Sequence, residues 1–443
     1  MSLRDAVGLG AIFLANVVVN KSGIGGGGIM IPILLLVLRF SSVQAVALSN
    51  LAVLAGASTN FYSNLHKRHP NKTLNRPLVS WDIIMIMEPT TMLTAVFGAY
   101  LGRLIPPVIL VFLLALVLGV VAIRTFYRGV KQYHEEEEEE EEAHLASPFT
   151  NEMHSENGFL NFSFFPNQIY TQISKIAIPQ QNLSNQSETS PRLPFQSDHH
   201  IKENLEEILK TESRLPLIDL YSLISLTVLV VSLTLIKSYM SCGGWEYLLD
   251  LFFVVVVIVT FAIYYRSVVV TRWYQKVEAG YIPVAGDVEW TEENSIVYPL
   301  LCSFAGLLAG IFGVGGGLLK GPLMLELGVL PDVTSATSGV MILFTSAAAT
   351  SSFLILGNLN GIYNYAIVVF SLSFLGTLVG QFLVQIRRPS FITLLIGSVV
   401  LVSAIMLVSE LMIQLEEETP SQIWKVGAIC ANIDSTTSHE FND

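Results

Sequence analysis

Residues 313–322 have the sequence GVGGGLLKGP, and residues 23–32 have the similar sequence GIGGGGIMIP. In each stretch a group of glycines interrupts a long apolar segment, and a proline stands nine residues after the first glycine. Two weaker matches follow in the same order along the chain. They pair Ala47-Leu48-Ser49 with Ala336-Thr337-Ser338, and the segment Gly98 to Gly102 with the segment Gly376 to Gly380. The chain therefore contains two similar halves, at about residues 6–127 and 296–413.

The composition places these two halves in a membrane. Of the 443 residues, 52% are hydrophobic and 14% are charged, whereas soluble domains carry about 25% charged residues. The apolar residues gather in blocks of about 20, which is the length that a helix needs to cross a hydrocarbon core about 30 Å thick. We therefore predict an all-α integral membrane protein with full spans at residues 43–64, 81–102, 105–127, 217–236, 247–265, 333–356, 362–385 and 390–413.

The glycine breaks predict discontinuous helices within residues 6–39 and 296–330. The apolar piece after each break has about 12–14 residues and a length of about 20 Å, which is too short for a full span. An odd number of crossings separates equivalent points of the two halves, so we expect two inverted repeats, each with a Gly-rich broken helix. Inverted repeats with helices broken at corresponding places are typical of secondary transporters, whose binding site lies near the centre of the bilayer.

The remaining sequence divides the chain into five parts. The insert after the first repeat carries a run of eight glutamates and then Ser, Asn, Gln and Pro in loose order, which favours disorder. Lys and Arg next to the span ends place this insert in the cytoplasm, although three Asn-X-Ser triplets within it favour the opposite side. The parts are a first repeat (1–127), a polar acidic insert (128–215), two linking helices (216–295), a second repeat (296–414) and a polar tail (415–443).

The breaks are the first candidate binding site. Glycines leave backbone N–H groups accessible, and a helix that restarts after a break directs its free N–H groups and the positive end of its dipole at the gap. Such a helix start binds anions well, and two of them could face one another across a central cavity. Close packing of neighbouring helices is the alternative role of such glycines. The candidate anion-binding glycines are Gly25, Gly26, Gly27, Gly315, Gly316 and Gly317. For Gly98, Gly102, Gly376 and Gly380 we favour close packing.

Several polar side chains at membrane depth complete the candidate site. Lys320 follows the second break and could attract an anion, pair with Glu326 or extend to the interface. Glu88 and Glu326 lie in apolar segments, where a carboxyl group could carry a coupling proton or simply form hydrogen bonds within the bundle. Ser49, Asn50, Thr337 and Ser338 lie near the start of the helix after each break. They could donate hydrogen bonds to an oxyanion or hold helices together.

Other classes of function find little support. The three cysteines are far apart and have no disulfide or zinc spacing, and no Gly-Lys-Ser/Thr follows either break as a phosphate-binding loop requires. No catalytic triad can be assembled from residues at membrane depth. The net charge of −12 comes largely from the glutamate run and does not indicate a nucleic-acid partner. We expect no enzymatic activity, no cofactor and no metal.

The block GGGLLKGPLMLELGVLPDVTSATSG at residues 315–339, together with the duplicated glycine break and proline, resembles the eukaryotic branch of the TauE/SafE (sulfite exporter, TSUP) family of membrane permeases. The resemblance covers both repeats but not the insert, and Lys320 and the glutamate run depart from the family pattern. It implies transport of sulfite, a sulfonate or a related organosulfur anion, driven by an ion gradient.

These observations together predict a multi-pass secondary transporter for a small anion. Its expected partners are that anion, the lipid bilayer and a coupling proton or sodium ion. Both the plasma membrane and endomembranes fit the sequence. An anion channel that uses the same pore is one alternative. A membrane receptor or scaffold, with the insert as its binding segment, is another.

Overall fold

A computed structural model describes residues 3–19, 26–70, 75–145, 208–240, 244–284, 286–383 and 389–417. Across this part of the chain the regular structure is helical, apart from one isolated β-bridge between Arg68 and Pro77. Eight of the described helices are long and apolar enough to cross a membrane. The prediction of an all-α integral membrane protein is therefore confirmed.

Twelve helices follow one another along the described chain. The first half contains α1 (Leu3–Val19), α2 (Gly27–Pro32, extended by a π-helical turn, Ile33–Val37), α3 (Ser42–Asn64), α4 (Trp81–Leu104) and α5 (Pro107–Leu145). Two linking helices follow, α6 (Leu217–Ile236) and α7 (Trp245–Glu278). The second half contains α8 (Asn294–Phe312), α9 (Gly317–Glu326), α10 (Pro331–Ile355), α11 (Tyr363–Leu383) and α12 (Pro389–Glu417).

Both breaks produce short helices, as the sequence predicts. The second break separates α8 from α9, and α9 has only 10 residues. Gly316, immediately before α9, has φ 71°, and Gly26, immediately before α2, has φ 62°. Side chains with a Cβ rarely adopt this left-handed conformation, so glycine sets the point at which each helix restarts.

The insert differs from expectation at its beginning. Helix α5 runs to Leu145 and includes the glutamate run, so the interpretation of the insert as non-helical from residue 128 is wrong for residues 128–145. Glutamate has a good intrinsic helix propensity, and a helix that is already formed extends without a new nucleation step. Each like-charge pair one turn apart costs only a few tenths of a kcal/mol. Residues 146–207 and 418–443 lie outside the described chain.

Equivalent helices of the two halves pack in equivalent ways. Helix α4 packs against α8 and α10, and its counterpart α11 packs against α1 and α3. Helix α3 crosses its counterpart α10 in the antiparallel sense. Asn50 in the first half of α3 contacts Thr350 near the end of α10, whereas Asn60 near the end of α3 lies beside Gly339 in the first half of α10. These relations are the ones that two inverted repeats would produce. The inversion itself stays a prediction.

Small residues bring α4 and α8 into backbone contact. A Cβ atom on Gly98 would lie 2.3 Å from the carbonyl oxygen of Leu307, and one on Gly310 would lie 2.1 Å from that of Ala95. Gly380 has the same role where α11 packs against α1, because a Cβ on Gly380 would lie 2.3 Å from the carbonyl oxygen of Val17. These glycines serve close helix packing, which is the role favoured from the sequence.

Charged loops meet at one end of the bundle. Arg76, before α4, pairs with Asp287, before α8, and Asp287 also accepts hydrogen bonds from the Tyr281 hydroxyl (2.7 Å) and the Val284 N–H (3.0 Å). Burial of Asp287 favours a higher pKa, but these hydrogen bonds and the Arg76 charge outweigh burial and lower the pKa of its carboxyl group. The loops before α4 and before α8 therefore share one face of the bundle.

The α4–α8 contact should tolerate no added methyl group. We expect Gly310→Ala to lower the thermal unfolding temperature of the purified protein in detergent, at a cost of about 1–3 kcal/mol for overpacking. Gly119→Ala in α5 is the matched control, because nothing lies within 4 Å of its Cβ position. An equal unfolding temperature for both variants would contradict the close contact.

Candidate functional site

The two glycine breaks contact each other directly. A Cβ atom on Gly27, at the start of α2, would lie 2.6 Å from the Cα of Val314 and 3.0 Å from the carbonyl oxygen of Gly313. A Cβ on Gly313 would in turn lie 2.3 Å from the carbonyl oxygen of Val46 in α3. The described residues of the two breaks, 26–28 and 313–317, are buried, and their backbones pack together.

Ser49 links the two breaks. Its hydroxyl group lies 3.2 Å from the carbonyl oxygen of Gly27 and 3.1 Å from that of Gly313, and its single proton is shared between them. Ser49 belongs to α3, the long helix that comes after the short helix α2. The structure therefore brings one hydroxyl predicted for the site to the contact between the two halves.

Asn50 points from α3 towards α10. Its side-chain amide donates hydrogen bonds to the backbone oxygen of Ser346 (3.0 Å) and to the hydroxyl oxygen of Thr350 (2.8 Å). The Oδ1 atom of Asn50 is buried and accepts no hydrogen bond from the described residues. Asn50 thus connects the two central helices and keeps one acceptor unused.

Thr337 and Ser338 have local roles in this conformation. The hydroxyl oxygen of Thr337 accepts a hydrogen bond from the N–H of Ser80, which precedes α4, at 3.1 Å. The Ser338 hydroxyl donates to the backbone oxygen of Ser335 at 3.2 Å. Both side chains are buried in α10, where the Thr337 contact joins α10 to the residue before α4 and the Ser338 contact lies within α10.

A buried ion pair lies beside the second break. The ammonium nitrogen of Lys320 in α9 is 2.8 Å from Oε2 of Glu88 in α4, and both side chains have no exposed surface. The Thr345 hydroxyl of α10 contacts both charged groups, and the Thr91 hydroxyl lies 3.0 Å from the same Oε2 atom. The Cε atom of Lys320 is only 3.4 Å from the Cβ position of Gly316. The pair is therefore next to the helix start.

The structure identifies a partner of Lys320 that the sequence does not indicate. The sequence leaves pairing with Glu326, attraction of an anion and extension to the interface open, and the described carboxylate partner is Glu88, 232 residues away. The side chain of Glu326 and the backbone of Gly25 lie outside the described residues. No sequence pattern indicates Thr345 or Thr91, because a threonine within an apolar helix gives no signal until its neighbours are known.

The electrostatics of the site favour an anion over a cation. The first turns of α2 and α9 contribute partial positive charge from their N–H groups, and the charges of Lys320 and Glu88 compensate each other. Among the described residues no group of three or more His, Cys, Asp or Glu side chains is placed to hold a metal ion. The chemistry available near the breaks is therefore hydrogen-bond donation and one exchangeable ion pair.

Comparison with known proteins identifies relatives over most of the chain. The family described as "Sulfite exporter TauE/SafE" matches residues 8–151 and 221–429. "Sulfite exporter TauE/SafE family protein 3" of Arabidopsis thaliana is 26% identical over 395 residues, which cover 88% of this chain and 74% of that protein. The chain is also similar to Arabidopsis "Sulfite exporter TauE/SafE family protein 6", at 36% identity over 117 residues, or 26% of this chain and 27% of that protein.

A bacterial protein shows a weaker likeness. "Probable membrane transporter protein YunE" of Bacillus subtilis (strain 168) is 24% identical over 129 residues, which are 29% of this chain and 44% of that protein. No solved structure matches the chain. The family resemblance inferred from the glycine breaks and the 315–339 block is confirmed.

Removing one member of the ion pair should destabilise the fold more than removing both. We expect Lys320→Met to lower the stability by about 3–5 kcal/mol, because it leaves the Glu88 carboxylate buried without a cation. Adding Glu88→Gln should recover most of that loss, since no charge then remains buried. Thermal unfolding in detergent of the two variants and the wild type measures both effects. Equal stability of Lys320→Met and the wild type would contradict a charged pair.

Proposed function

The chain belongs to the sulfite exporter TauE/SafE family of membrane transporters, and from this membership we propose that it is a secondary transporter that moves a small oxyanion across the bilayer. Sulfite, a sulfonate or a related organosulfur anion is the proposed substrate. The names of the relatives support sulfite, and the binding chemistry of the breaks accommodates any small anion that presents several oxygens.

The contact between the two glycine breaks is the observation that carries the proposal. Each break ends at the first turn of a short helix within a membrane-spanning bundle, and the two breaks meet at Gly27 and Val314. Helix starts offer several N–H donors in one direction, and these match the oxygens of a sulfite or sulfonate group. Irregular backbone at membrane depth is tolerated where protein or a water-filled cavity covers it. We propose that the substrate binds between the breaks and separates them.

The arrangement of the helices suggests how access would alternate. We propose that the two halves are inverted repeats and that one half rocks against the other. The antiparallel crossing of α3 and α10 supports this, as does the contact of α5 with α12, in which Gly129 lies beside Leu394 and Gly397 beside Phe126. The Ser49 hydroxyl sits between the breaks, where it could exchange a carbonyl partner for a substrate oxygen.

Substitution of Gly27 tests the site. We expect Gly27→Ala to lower the initial rate of counterflow of labelled sulfite in proteoliposomes by at least about tenfold, a barrier increase of about 1.4 kcal/mol. The added methyl group would force the break away from Val314. Gly321→Ala is the matched control in α9, because its Cβ position has no neighbour within 4 Å.

The outcomes separate the possible functions. Saturable counterflow by the wild type and by Gly321→Ala, with loss in Gly27→Ala, supports a transporter with its site at the breaks. Flux that does not saturate would instead indicate an anion channel. Folded wild-type protein that moves neither sulfite nor a sulfonate would overturn the transport proposal and favour a receptor. Full activity in Gly27→Ala would show that the breaks serve packing alone.

A further inference from the structure

Among the described residues, the buried ion pair lies beside the second break and has no counterpart beside the first. Lys320 and Met30 occupy the same place, seven residues after the first glycine of their respective breaks. Glu88 and Ala366 likewise correspond, since each lies ten residues before a matched glycine, Gly98 or Gly376. Met30 and Ala366 are buried, so these two corresponding places carry apolar side chains instead of charges.

The same asymmetry holds for the hydroxyl group that joins the pair. Thr345 lies seven residues after Ser338, and the corresponding position after Ser49 is Gly56. Lys320, Glu88 and Thr345, which come from both halves, thus correspond to Met30, Ala366 and Gly56. A buried ion pair adds little stability compared with apolar side chains of similar size. Because these corresponding places hold no such pair, the pair is not a requirement of the architecture.

The geometry of the pair allows its members to change partners. Lys320 carries three donor positions, and its described acceptors are Glu88 and the Thr345 hydroxyl. Glu88 accepts from Lys320, Thr345 and Thr91. If Glu88 took up a proton, Thr91 and Thr345 could remain as its hydrogen-bond partners. The ammonium group would then lack a counter-charge while its stem lies against the second break at Gly316.

We propose that Lys320 and Glu88 form a proton-controlled exchange site, in which protonation of Glu88 frees Lys320 to bind the substrate oxyanion at the second break. The proposal rests on the proposed transport function and gives it a coupling ion. When the anion leaves, Glu88 returns its proton to water and pairs with Lys320 again. The site holds one positive and one negative charge in both states. A monovalent anion therefore moves together with one proton, and the cycle carries no net charge.

The surroundings of Glu88 identify it as the carboxyl group in this exchange. Helix α9 contributes Lys320, α10 contributes Thr345, and α8 contributes Cys302, whose thiol is near enough to interact with both charges. Thr91 is the polar neighbour on the same helix as Glu88.

The other described charged groups that face α4 lie towards its two ends. Asp82 interacts with Arg272 at one end. The pair of Lys237 and Asp250 lies near Tyr100 at the other end. Along the helix axis, Asp82 and Tyr100 are about 9 Å and about 18 Å from Glu88.

Proteoliposomes containing the full chain test the exchange with labelled methanesulfonate, a monovalent anion at every pH used. The wild type should accumulate it when the outer solution is acidic, and a potassium–valinomycin potential of either sign should leave that accumulation unchanged. Glu88→Gln, which resembles the protonated carboxyl group but cannot release a proton, should lower accumulation driven by the pH gradient at least about tenfold.

Binding in detergent provides a second readout that does not depend on flux. The shift in unfolding temperature caused by methanesulfonate should grow as the pH falls for the wild type. It should be independent of pH for Glu88→Gln and absent for Lys320→Met/Glu88→Gln. The matched control is Lys237→Met/Asp250→Asn, which removes a second buried pair, 3.3 Å apart and near Tyr100 at the other end of α4. This control should keep the pH-driven accumulation.

Each result decides between the two proposals. If the wild type exchanges methanesulfonate or sulfite and Glu88→Gln still accumulates it in response to the pH gradient, the exchange site is wrong and the transport function stands. The same conclusion follows if the double variant of Lys320 and Glu88 keeps both its binding shift and its accumulation. If the wild type moves neither anion in counterflow, the transport function fails and the exchange site with it.

Discussion

Direct backbone contact between the two glycine breaks is the constraint on which the rest of the bundle depends. Polar backbone groups at membrane depth need partners within the protein, and a chain that leaves its helix inside a bilayer therefore has to be enclosed on all sides. The contact of Gly27 with Val314 encloses each break with the other, and Ser49 supplies a hydroxyl group between them. Helices α3 and α10 cross beside this contact, and the remaining helices pack around them.

The features that the sequence predicts well are those set by local composition. Apolar blocks predicted seven of the eight described helices that are long and apolar enough to cross a membrane, the eighth being α8, which the sequence placed in a broken helix. The repeated glycines predicted the positions of both breaks, because hydropathy and positive φ angles depend on nearby residues. The pairing of Lys320 with Glu88 could not be predicted, since the two residues are 232 positions apart and only the packing of α4 against α8, α9 and α10 brings them together. The helical glutamate run was missed because its composition, which is typical of disorder, outweighed its helix propensity.

The two halves share an architecture but differ in chemistry. Each has a broken helix, a long central helix and a glycine-lined contact with the other half. Only the environment of the second break carries an ammonium group, a carboxyl group and a bridging hydroxyl among the described residues. Duplication thus accounts for the shape of the bundle, whereas single differences between the copies, at Glu88 in the first and at Lys320 and Thr345 in the second, account for its charged centre.

Helix α5 has a consequence for the water on one side of the membrane. Its 39 residues extend for about 58 Å, nearly twice the thickness of a hydrocarbon core. Its contacts with α12 place the glutamate run beyond Pro389, the first residue of that helix. A rigid rod with eight carboxylates repels anions within about one Debye length, roughly 8 Å at physiological salt. Anions within this distance of the helix are therefore depleted and cations enriched, so the two ends of the protein meet different local ion concentrations even between identical bulk solutions.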